Sequence, residues 1–134
     1  MESEIWSTFA TLRISSAING VAGLFAIWLA SRWANVAMEK GANVVAKVIL
    51  SVFGLCVIAM NTLFLMTAQT IFINTSKAFA MVRDSGTEIS PAAANFVATY
   101  NADGPALMNT PVFSLMLLAA LLIILLPMWM PAEK

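Results

Sequence analysis

Long stretches without a charged side chain govern what this chain can become. Eighteen residues separate Arg13 from Arg32, twenty-nine separate Lys47 from Lys77, and a further uncharged run extends from Gly104 to Ala132. A bilayer core about 30 Å thick is crossed by about 20 helical residues. Hydrocarbon offers the backbone no hydrogen-bond partner, and three strands cannot close a barrel, so each run is expected to be a helix. The pattern predicts an all-α integral membrane protein forming a single three-helix membrane domain over 1–134. Its spans fall at roughly residues 13–33, 46–72 and 111–130, with a loop over 77–110. Glu2 and Glu4 precede the first run where a signal peptide would carry a basic region, so the run reads as a retained span.

The composition excludes several functions. Only 10 % of the residues are charged against 60 % hydrophobic, too few ionisable groups to coat a water-soluble domain of this size. Lysine and arginine equal aspartate and glutamate at seven each, which removes the field of a nucleic-acid binder. Histidine is absent and cysteine occurs once, which excludes an intramolecular disulfide and the usual zinc and haem ligation. The methionine pairs Met60/Met66 and Met128/Met130 lack the spacing of same-face neighbours, and Cys56 has no basic neighbour to generate a thiolate. No phosphate-binding loop, dinucleotide fingerprint or nucleophile elbow occurs. The sequence therefore predicts no catalytic residue, no cofactor and no metal site.

Helix faces carry the remaining information. On a helical wheel the first span gathers Ser15, Ser16, Asn19, Gly20, Ala22, Gly23, Ala26 and Ala30 into one arc, with bulky residues opposite. Without a hydrophobic drive in lipid, small residues and interhelical hydrogen bonds hold spans together, so this arc is expected to pack on the second span or on another subunit. The second span bears a narrower stripe of Lys47, Ser51, Gly54, Asn61, Thr62 and Gln69 that should point away from lipid. If Arg32 and Lys47 mark one interface, Asn19 and Asn61 lie at equal height and should pair. The third span is apolar on every side, and Pro127 and Pro131 are expected to loosen its end. Trp6, Trp33 and Trp129, with Arg13, Arg32 and Lys47, are placed as interfacial anchors.

In the second loop Ser90 precedes Pro91, an N-cap before proline at the first helical position, and predicts a short surface helix near residues 91–101. Its Phe96, Val97 and Tyr100 share a face suited to the membrane or a partner. Asp103, Gly104 and Pro105 should end that helix, and Thr110 should cap the last span. Helix two is expected to project past the bilayer, to bend at Asn74, Thr75 and Ser76, and to stop at Gly86. Four basic residues on the side of the first loop and Lys134, against three opposite, place Met1 and the second loop outside.

These features favour a non-catalytic accessory subunit of a larger integral membrane complex, with an oxidoreductase or electron-transfer assembly as the kind suggested by analogy. Its partners would be other membrane subunits and membrane lipids. The alternative is a homo-oligomeric, holin-like pore in which the polar stripe of the second span lines a wet path.

Overall fold

The computed structural model describes residues 1–101 and 111–130. Four helices follow in order: α1, Glu2–Glu39; α2, Val44–Asp84; α3, Pro91–Thr99; and α4, Pro111–Trp129. Among the described residues there is no strand, and α1, α2 and α4 are long and apolar enough to cross a membrane. The chain is an all-α, multi-pass membrane protein with a short additional helix. Asp103, Gly104, Pro105, Thr110, Pro131 and Lys134 lie outside the described residues.

The connections follow from local chemistry. No proline occurs before Gly41, so the first loop, expected between spans ending near 33 and resuming near 46, is confined to the turn between Glu39 and Val44. Gly41 takes φ +71°, a conformation that costs glycine little. Asn43 then caps α2 by accepting from the Ala46 N–H at 2.9 Å. α2 runs unbroken through Asn74, Thr75 and Ser76 to Asp84, and Gly86 follows at φ +86°. Threonine hydroxyls along α2 donate back to carbonyls one turn earlier, so these polar residues are satisfied inside the helix. α3 begins where Ser90 accepts from the Ala93 N–H at 3.2 Å, and it ends at Thr99. α4 continues through Pro127 to Trp129, although proline there removes the N–H that would reach the Ile123 carbonyl.

Exposed apolar side chains define the depth of the membrane. They run from Leu12 to Trp33 on α1, from Val44 to Met66 on α2 and from Val112 to Met130 at the end of α4, with Met1 and Met81 standing apart from these bands. At 1.5 Å of rise per residue these bands are about 32, 33 and 27 Å tall, close to the roughly 30 Å of a bilayer core. Above the belt, the first ten residues of α1 and the last eighteen of α2 project with α3 as a separate lobe. Within the belt, Ala30 and Ala34 of α1 meet Val57 of α2 and the buried Ile124 and Met128 of α4. Small residues on α1 let the other two helices approach, the arrangement by which membrane helices gain van der Waals contact.

Candidate functional site

The belt contains one polar crossing between α1 and α2. Asn61 is 8 % exposed; its Nδ2 donates to the Val57 carbonyl at 2.9 Å and across to the Gly23 carbonyl at 3.3 Å. A side chain on Gly23 would collide with Asn61 Oδ1, so glycine at 23 and asparagine at 61 form one fitted contact. The amide therefore reaches one turn beyond Asn19, its expected partner. Above this contact a cavity of about 240 Å³ opens among Ser16, Gly20, Asn61, Ala68, Phe113 and Met116.

The other residues of the small arc divide. Gly23 and Ala30 are buried and Ser16, Asn19 and Ala26 are half-buried, whereas Ser15, Gly20 and Ala22 are exposed. Gly20 meets nothing where a Cβ would stand, so it borders the cavity rather than a helix contact. On α2, Gly54 is buried and receives Ile124, whose Cγ2 lies 2.6 Å from where a Cβ would be. Thr62 is half-buried and donates to the Ile58 carbonyl of its own helix at 3.0 Å.

The residues expected at the interfaces also separate into groups. Trp33 and Trp129 lie at the loop end of the belt, Trp33 against Phe53 with ring centroids 5.4 Å apart. Trp129 Nε1 donates to Ser51 Oγ at 2.9 Å, and Ser51 in turn donates to the Lys47 carbonyl. Arg32 is exposed and Lys47 half-buried at this end. Arg13 stands at the opposite edge with its guanidinium 4.8 Å from the Phe72 ring centroid, a cation–π contact. Trp6 is six residues beyond Leu12 and packs inside the lobe instead of on lipid.

That lobe has an aromatic centre. Phe79 is fully buried; Trp6 lies 4.8 Å from it and 5.5 Å from Phe96, centroid to centroid. Phe9, Phe72 and Tyr100 extend the cluster. Phe96 and Tyr100 of the α3 face expected to seek the membrane or a partner thus pack on their own chain, while they and Val97 stay half-buried. A polar clamp sits beside the rings: Ser90 donates to Glu2 Oε1 from its hydroxyl at 2.6 Å and to Oε2 from its N–H at 3.0 Å. Trp6 Nε1 donates to the same carboxylate at 3.2 Å. The Ser90 hydroxyl, then the Ser90 N–H, hold this carboxyl below the usual range. The clamp joins positions 88 apart in sequence and has no local signature. The aromatic pairs Trp6/Phe9 and Phe72/Phe79 are a signal for the lobe, because they continue helical faces past the end of the apolar runs.

Comparison with family models, with curated proteins and with solved structures finds no match to this chain.

Proposed function

We propose that this protein is a non-catalytic accessory subunit that holds a place in a larger integral membrane complex, and that it meets its neighbour through the uncovered face of α1. The observation that supports this reading is the shape of that face. Ile14, Ile18, Val21 and Phe25 surround Ala17 and Ala22, leaving an apolar concavity of about 600 Å³. It lies on the side of α1 away from Gly23 and Ala30, which pack within the chain. In lipid, association depends on van der Waals fit, and a notch over small residues bordered by large ones receives the ridge of another helix. The lobe above the belt gives such a neighbour a second surface.

Three residues of the polar stripe of α2 are engaged with the other helices. Asn61 is bonded to α1, Gly54 is filled by Ile124, and Ser51 accepts from Trp129. A lumen lined by the whole stripe would need these three contacts to open, which favours the accessory reading over the pore. The basic-residue count favours Met1 and the lobe outside and the Glu39–Val44 turn inside.

Photocrosslinking from position 21 or 22 in native membranes tests the assignment. The expected product is a discrete adduct with a different polypeptide that also copurifies after gentle extraction. A chain recovered alone, crosslinked only to lipid, would reject the proposed role.

A further inference from the structure

Asn61 leaves one polar atom without a partner. Both protons of its Nδ2 are committed, to the Val57 and Gly23 carbonyls, and among the described residues nothing donates to its Oδ1. The residue is 8 % exposed and lies within the belt, and no fully enclosed side-chain oxygen among the described residues lacks a partner. This oxygen therefore keeps access to open space, and the space that Asn61 lines is the cavity of about 240 Å³ between α1, α2 and α4. Bare backbone on α1 creates part of that room, since a Cβ at Gly20 would meet nothing within 4 Å. The mouth faces lipid, where Gly20, Leu24 and Met116 are exposed.

The lining decides what can enter. Leu24, Phe64, Leu65, Phe113 and Met116 make the cavity apolar, and Ser16 and Asn61 are its polar side chains. Among the described residues no charged side chain lines it, so a carboxylate or an ammonium would enter unpaired, at a large cost. An acyl chain brings no donor and would bury the Asn61 oxygen unsatisfied. Water brings donors but needs about 2–4 polar partners, and Ser16 stands about 10 Å above Gly23 by helical rise, so one water cannot bridge it to Asn61. An apolar protein cavity of about 150 Å³ stays dry and takes benzene; this larger one has room for a ring with a substituent. Phe64 and Phe113 are suited to pack on such a ring, as is the Met116 thioether.

We propose that this cavity binds a small neutral ring compound from the lipid phase, of which a simple phenol is the type, with its O–H donating to Asn61 Oδ1 and its ring among Phe64, Phe113 and Met116. The bond forms in hydrocarbon, where no water competes for either partner. The α1 face assigned above to a protein neighbour lies elsewhere, around Ala17 and Val21, so binding is a property of the isolated chain.

The test is fluorine NMR of the full chain in detergent micelles with 4-fluorophenol and with 4-fluorotoluene, which has a similar size and no donor, at equal concentrations within the micelle. A bound 4-fluorophenol resonance, distinct from that of the micelle, should appear at about one tenth of the concentration that the toluene needs, equivalent to about 1.4 kcal/mol. Gly20→Leu should fill the cavity and remove the bound resonance while the helical melt is kept; Gly20→Ala should retain it. Asn61→Leu should bring the phenol down to the level of the toluene. Absence of a bound resonance, equal binding of the two compounds, or a Gly20→Leu chain that binds like the parent would overturn the proposal. So would a photocrosslink from position 68, which lines the cavity, to another polypeptide in native membranes.

Discussion

Asn61 and Gly23 show what one buried amide requires of its surroundings. Within the belt, a primary amide must place both protons; the Val57 carbonyl of its own helix takes one, and the other is paired because a carbonyl of α1 lies within reach. That approach depends on the bare backbone at Gly23. Gly23→Ala should destabilise the protein by about 1–3 kcal/mol, the range for overpacking a fitted core. Asn61→Ala should cost about 0.6–2 kcal/mol for the lost interhelical bond and packing. The double variant should cost less than the sum, since removing the amide makes room for the methyl. Reversible unfolding in a denaturing detergent series measures all three, and strictly additive losses would show that the two positions do not meet. The wheel identified both faces but missed the turn. Arg32 lies seven residues before the end of α1, while Lys47 lies three after the start of α2. The two charges therefore do not mark one level, and the offset of about one turn, near 6 Å, moves the contact from Asn19 to Gly23.

At the scale of an element, α3 is too short to be stable in water without tertiary contacts. Its cap, its proline and its aromatic face were all legible locally, and they specify a helix without saying what it packs on. The answer lies in two helical extensions far away in sequence, which bring Trp6, Phe72 and Phe79 to Phe96. Ser90 serves twice, accepting from the Ala93 N–H and donating to Glu2. Ser90→Ala should cost about 0.5–2 kcal/mol for the cap alone, read as a lower melting point of the lobe, and Ser90→Asp should not restore it because it opposes the Glu2 carboxylate. Glu2 also makes the docking sensitive to acid. Its carboxyl is held below the usual range by Ser90 and Trp6. The stabilisation is thus complete above the usual glutamate range and is lost as pH falls through the depressed folded value. In a chain whose other three tryptophans are replaced by phenylalanine, Trp6 emission should shift in that acid window and return on neutralisation. Glu2→Gln should remove the shift; an identical curve in both chains would show that the clamp does not govern α3.

For the whole molecule, the decisive comparison is between helix length and membrane thickness. α1 has 38 residues and α2 has 41, so each is about 57 Å or more in length beside a bilayer core of about 30 Å. Holding 57 Å within that core would need a tilt of about 58°, beyond the range of about 0–40° for membrane helices. The surplus must therefore leave the lipid, and the exposed apolar belt fixes where it does so. The charge-free run of α2 extends to Ser76, and on that run alone the span is expected to reach residue 72. Exposed large apolar side chains in this part of α2 stop at Met66, and the next exposed positions are Thr67, Thr70 and Asn74. Freedom from charge thus overstates immersion: threonine and asparagine carry no charge, yet they prefer water or a bonded site to hydrocarbon. A labelling scan can locate this boundary. Cys56, the sole cysteine, is exposed within the belt and is first replaced by serine. Single cysteines are then introduced one at a time and treated with a membrane-impermeant maleimide in lipid nanodiscs. Positions 3, 7 and 11 of α1 and 70, 74 and 77 of α2 should react readily. Positions 14, 18, 21 and 25 of α1, and 48, 52, 55 and 63 of α2, should be protected. Protection reaching position 7 or 74 would place the lobe in lipid and remove the physical basis for an extramembrane aromatic core.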